Sequence, residues 1–377
     1  FWLRRDVAKG DSVLDGPRPK PAGRRRVPIC HGRNKLGLHF FFTILLSFLS
    51  TAGNPPGYPL DKDEGCFSKK DLQLSNQNEN TPESYQGVTW FRKLRGMIVW
   101  SSNRYGQHDI LMIILPGFKV TRLTEHPHVD YYPRISPDGK KIVFARSQME
   151  SVSQRDNIHW DVYLLDIQSG KERLLAKNGN APSWSGDGEK VYFQKNGGEF
   201  VEHEINTGRE NLLFKSGLKP VPGNIVLGSP SYNSLTGELA VTLRGRKRMT
   251  AIYTRDKKSF RIGDGCQVTW SSDRSFLYYI DRGGKLSNGI YQYFPKDRKK
   301  TLWLDMPLPF SHEYFPKMSN DGRYLVFGAS AEGHEHDTAD YEIFLWKIGT
   351  KPEEIVRITH HQANDCWPDI YVYAENE

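Results

Sequence analysis

The sequence predicts an all-β chain, a six-bladed β-propeller with velcro closure in which the C-terminal strand completes the first blade. Three observations predict it. First, six segments share one outline: a short strand often opened by Pro, a Gly/Asp turn, then a strand of alternating apolar residues. Second, their anchor positions, Pro133, Pro182, Pro230, Val268, Pro316 and Pro368, are spaced by 49, 48, 38, 48 and 52 residues. Units of about 40–50 residues with room for four strands are the length of propeller blades. Third, the ends are complementary. "GMIVWSS" (96–102) begins a blade at its second strand, and "CWPDIYV" (366–372) is a first strand lacking a second. Joining them closes the ring and removes the edges an open sheet would expose.

In chain order, residues 1–26 contain no Met, the first being Met97, and are expected to be non-native or untranslated sequence, with a start such as Val27. Residues 27–53 have the parts of a signal peptide: basic "GRNK", apolar "LGLHFFFTILLSFLS", then small residues in "STAG". That apolar core is short of the roughly 20 residues a bilayer span needs. The expectation is cleavage near Gly53, a periplasmic or secreted location, and no membrane insertion afterwards. Residues 54–95, including "SNQNENTPES", read as a polar linker. The propeller is expected over 96–372.

The formal charge of +8 does not point to nucleic acid. Residues 1–53 hold ten Lys/Arg against three Asp, which leaves 42 basic and 41 acidic residues for the rest. Cys66, Cys266 and Cys366 give an odd count at long spacing, hence neither a disulfide framework nor a CxxC site. Cys266 and Cys366 occupy equivalent repeat positions and are expected as small core residues.

Turn chemistry explains "SPDG" and "SNDG": Asp caps its own turn and Gly takes the positive φ of a tight hairpin. The pattern P-x-[IWM]-S-x-D-G-x-x-[ILV]-x-F resembles the WD40-like repeats of TolB-type propellers, exported proteins of the bacterial envelope. The match is strongest in the blades starting at Tyr131, Asn180 and Glu313, whereas "NSLTG" and "SSDRS" are degenerate turns. The resemblance implies the propeller, not the α/β domain that precedes it in TolB. No G-x-S-x-G elbow is present, so the peptidases built on similar propellers are not indicated.

In a four-strand meander, loops joining strands two and three, and loops joining blades, share one face, here called the top. Of ten histidines after the leader, nine are expected in top-face loops, His108, His159, His334 and His336 in two-to-three loops among them, and only His203 on a strand. A binding sector of blades six, one and two is therefore expected from His126, His128, Asp130, His312, Glu313, His334, His336, Asp337, Asp340, His360, His361 and Asp365. Interspersed aromatics in "DYYP", "EYFP", "DCWP" and "IHWD" suit recognition of a protein, peptide or glycan of the envelope. Tyr132, Phe315 and Trp367 are expected in inter-blade packing, and Asp161 and Asp340 on loop backbone. Basic "RGRKR" (244–248) is a further top-face loop able to dock an acidic partner.

The favoured reading is a non-catalytic recognition module with no catalytic residues assigned. The alternative is a metal-dependent propeller enzyme. Imidazole with carboxylate suits Zn or Mn, with His334, His336, His360 and His361 as ligands. "THHQAND" (359–365) loosely resembles the His and Gln ligands of some propeller polysaccharide lyases.

Overall fold

The computed structural model describes residues 88–374 except Lys247, Leu286 and Ser287. The expected leader, signal peptide and most of the linker lie outside the described residues. Within the segment read as linker, Thr89–Lys93 forms a short helix, α1, that buries Phe91. Phe91 and Leu94 join a core cluster with Trp100, Ile343 and Val356, so the folded body extends to residue 88.

Six four-stranded antiparallel sheets form the blades. Gly96–Tyr105, Gln107–Leu115 and Val120–Arg122 (β1–β3) belong to blade one. Blade two is Asp130–Ile135, Lys141–Ser147, Trp160–Asp166 and Glu172–Ala176 (β4–β7). Blade three is Gly179–Trp184, Lys190–Lys195, Glu199–Glu204 and Glu210–Lys215 (β8–β11). Blade four is Val226–Asn233, Glu238–Arg244, Met249–Tyr253 and Ser259–Gly263 (β12–β15). Blade five is Cys266–Trp270, Leu277–Arg282, Asn288–Phe294 and Lys299–Leu304 (β16–β19). Blade six is His312–Met318, Tyr324–Ser330, Glu342–Lys347 and Val356–Arg357 (β20–β23). Asp365–Val372 (β24) returns to blade one and pairs antiparallel with β1, Gly96 opposite Val372 and Ser102 opposite Asp365. The closure is tight: a Cβ on Gly96 would stand 2.3 Å from the Tyr371 carbonyl oxygen. Cys266 and Cys366 are free and buried, as expected of core residues.

The repeated turns fold through their own side chains. Asp138 Oδ1 accepts from Ser136 Oγ at 2.5 Å and from the Lys140 amide at 3.1 Å. Asp187, Asp273 and Asp321 accept likewise from Ser185, Ser271 and Ser319. Gly139, Gly188 and Gly322 take φ of 71–74° in these turns.

A second repeat is invisible in the motif. The residue before each anchor position, Tyr132, Ala181, Ser229, Gln267, Phe315 and Trp367, has φ between 46° and 59°. Each sits in an irregularity of the register between the first and second strands of its blade. A residue with a Cβ in the left-handed region loses roughly 1–2 kcal/mol, and bulges that bend a strand and re-aim a side chain are the usual reason to retain one. All six line the central channel. Tyr132 and Phe315 meet Trp367 with ring centroids at 4.1 and 4.4 Å. The three aromatics thus meet across blades as expected, but at the ring's axis, filling the channel on the side of blades six, one and two.

Candidate functional site

Two features of the top face emerge from the residues expected there. One is a plug over the channel. The loop 331–341 of blade six meets the 148–159 loop of blade two. Ser153 Oγ donates to Asp337 Oδ2 at 2.5 Å and the Gln154 amide to Asp337 Oδ1 at 3.0 Å. Gln154 Nε2 and Asn364 Nδ2 both donate to the His336 carbonyl, at 2.5 and 2.6 Å. Trp367 Nε1 donates to Gln154 Oε1 at 2.9 Å. Arg155 and Glu335 add an ion pair at 2.7 Å. Gln154, absent from the sequence-based set, is the hub, and its only sequence signal is a polar residue inside a long two-to-three loop.

His336 sits under this plug among Tyr314, Phe315, Tyr341 and Trp367, at centroid distances of 4.5, 5.1, 6.2 and 6.5 Å. Burial pushes its pKa down to about 3, with Arg155 and Arg244 adding to the effect. A neutral imidazole packed edge-on among aromatics is a packing element, not an open ligand.

Several expected carboxylates are also structural. Asp130, Glu313 and Asp365 stand two residues before the bulge in blades two, six and one. Arg146 donates from Nε and Nη2 to the two Asp130 oxygens, both at 2.7 Å. Burial pushes the Asp130 carboxyl up to about 6, and this bidentate pairing keeps it ionised at neutral pH. Asp365 is paired with Arg104 at 2.7 Å. Among the described residues Glu313 has no arginine: the Met306 amide donates to Oε1 while Oε2 is buried with no hydrogen-bond partner there. Asp340 accepts from Ser330 Oγ at 3.0 Å. Asp161 accepts from the Asn178 amide at 2.8 Å, on loop backbone as expected.

The remaining histidines separate. His108 is corrected from loop to strand: the connection is only Gly106, and His108 lies buried on β2 with Nδ1 3.0 Å from Ser101 Oγ. His126 and His128 stack edge-on at 4.7 Å, and His128 Nδ1 donates to the Ser147 carbonyl at 2.8 Å. His361 Nδ1 accepts from the Ala363 amide at 3.0 Å, and His360 is half-buried beside it. Among the described residues no group of three or more His, Cys, Asp or Glu is arranged to hold a metal ion. His334, His336, His360 and His361 therefore do not fit the Zn or Mn ligand set expected of them: His336 is caged by aromatics and His361 is engaged by backbone.

The second feature is a cleft of about 280 Å³ between blades five and six. It brings together His312 and His334, whose rings are 6.3 Å apart, with Arg248 from the basic loop, Arg282 and Asp281. Asp281 is committed to Lys300 at 2.7 Å, so the cleft has a cationic surplus. Arg248 and Arg282 are exposed. Arg282 was not expected, since blade five has a degenerate repeat that hides where its second strand ends.

No helix among the described residues is long and apolar enough to cross a membrane. No protein-family model matches the chain. An uncharacterized protein of Agrobacterium fabrum is 31% identical over 142 residues, which are 36% of this chain and 45% of that protein. The match thus spans less than half of that relative's length. Among solved structures, TolB from Acinetobacter baumannii superposes with a TM-score of 0.54 at 17% identity, covering 73% of this chain and 66% of that one. A candidate TolB from Agrobacterium tumefaciens gives 0.51 at 14% identity, over 74% of this chain and 99% of that one. At such identities the likeness is one of fold, and as a fold the expected resemblance is borne out.

Proposed function

We propose that this chain, a TolB-like six-bladed β-propeller, is a non-catalytic recognition module of the cell envelope that binds a carboxylate-bearing peptide or glycan. The observation that supports it is the cleft between blades five and six, where two exposed guanidinium groups and two imidazoles face solvent beside an already paired acid. Exposed arginines in a cleft suit planar carboxylates. The envelope location is supported by the signal-like stretch at 27–53 and by the fold. Against the metal-dependent lyase stands the dispersal of the four expected ligands and the use of Asp130, Asp365 and Asp337 in structural contacts.

The test is calorimetric titration of the full chain with an acidic peptide and with a uronate oligosaccharide. Replacing Arg248→Gln and Arg282→Gln together is expected to weaken binding by about 10- to 100-fold, the loss of one to two charged hydrogen bonds. Wild type should leave the oligosaccharide length unchanged. Equal binding by the double variant, or shortening of the sugar, would contradict the reading.

A further inference from the structure

The channel has a second layer beneath the bulge ring. Two residues after each bulge position come Arg134, Ser183, Ser231, Thr269, Lys317 and Asp369. Strand residues two apart share a face, and the first five of these line the same cavity of about 120 Å³. The upper end is closed by Tyr132, Phe315 and Trp367 and by the plug, while Ser183, Thr269, Lys317 and Asp369 are half-buried. The chamber thus faces the side of the S-x-D-G turns, opposite the cleft.

Its charges do not balance. Arg134 Nη1 donates to the Pro133 and Pro368 carbonyls at 2.6 and 3.3 Å. Among the described residues Lys317 Nζ has only Thr269 Oγ1, at 3.3 Å. Asp369 Oδ2 accepts from the Ile135 amide at 2.8 Å. A third cation comes from an unusual place. Arg274 lines the chamber from the blade-five turn "SSDRS", at the position that Gly139, Gly188 and Gly322 hold in the sister turns. It has φ of 62°, a conformation in which a Cβ is strained. Strain retained where glycine is the rule, with the side chain lining a cavity, is the observation that motivates a binding role here. Its guanidinium makes no hydrogen bond or ion pair among the described residues. Three cations therefore face one carboxylate.

We propose that this chamber binds a small oxyanion dianion, a phosphate or a dicarboxylate, between Arg134, Arg274 and Lys317, with Ser231 and Thr269 donating. Both hydroxyls already accept a hydrogen bond, from the Trp270 amide and from Lys317, so each keeps its proton for a ligand. Burial holds the Lys317 ammonium well below its ordinary range, and Arg134 adds to this. A bound dianion offsets both.

The experiment is calorimetric titration of the full chain with inorganic phosphate and, separately, malonate, at constant ionic strength set with chloride. One saturable site is expected for at least one anion, and the preferred anion identifies the source. Arg274→Gly and Lys317→Met should each weaken it about tenfold or more. The Arg274→Gly protein should unfold, without anion, at or above the wild-type temperature, since glycine suits that turn. The cleft variant Arg248→Gln/Arg282→Gln should bind these anions like wild type, which separates this site from the proposed recognition surface. No saturable heat with either anion, unchanged binding by both channel variants, or loss in the cleft variant would overturn the proposal.

Discussion

A chain ended at Asn364 is expected to show no cooperative unfolding transition by calorimetry or near-ultraviolet circular dichroism. Without β24, blade one loses its innermost strand and β1 becomes an open edge. Trp367 goes with it, and removing a buried Trp costs about 3–5 kcal/mol. Arg104, almost entirely buried, loses Asp365, and breaking such a pair costs about 3–5 kcal/mol. Cys366, Ile370 and Val372 are also removed from the core. These losses together reach the roughly 5–15 kcal/mol that holds a typical domain. A synthetic peptide of residues 365–374 should restore the transition by strand addition. A truncated chain melting like the full one would show that the ring does not depend on closure.

Replacing Glu313→Gln is expected to raise stability at pH 8 and to flatten its dependence on pH. Burial pushes the Glu313 carboxyl up to about 8, with Asp305 adding to it, while the Met306 amide, its own backbone amide and Lys285 oppose the shift. The native state therefore holds a proton that the unfolded chain, titrating near the ordinary glutamate value of 4.5, gives up. The group's contribution is complete below the unfolded value and is lost as pH rises through the folded one. At roughly 1.4 kcal/mol per unit, that window amounts to on the order of 5 kcal/mol. Glutamine keeps an acceptor for the Met306 amide and cannot ionise. Some slope should persist, because burial also pushes Glu342 up to about 7. Urea denaturation of both proteins between pH 5 and 8 measures the difference, and parallel curves would contradict the assignment.

The blades were legible because their signal is local. Each Ser-x-Asp-Gly turn closes through its own side chains, and the half-blades at 96 and 366 announce a strand supplied from the other end. The site was legible only as a region. "DYYP", "EYFP" and "DCWP" drew attention as acid beside aromatic, yet the same order in three blades is itself a structural signature. The acid stands at or next to the start of the inner strand, and the aromatic before proline turns into the channel on a left-handed residue. No periodicity reports a positive φ on Tyr132 or Trp367, since tertiary packing imposes it. Likewise His334 and His336, two apart in "GHEH", part company: one lines the cleft, the other is caged beneath the plug. That depends on Gln154 reaching from blade two, a contact 182 residues away in sequence. Arg274 was visible as a degenerate turn, but a missing glycine reads as decay until the channel shows where the side chain goes.

The placement of every top-face group rests on β24 lying against β1, and one measurement addresses it directly. Ser101 and Cys366 are opposite one another in that pairing, both fully buried, and opposed residues of antiparallel strands are within reach of a disulfide. The Ser101→Cys protein, mildly oxidised while folded and then digested without reductant, should yield a peptide linking position 101 to Cys366. Recovery of both thiols free, or of the introduced thiol joined to a different cysteine, would contradict the closed ring.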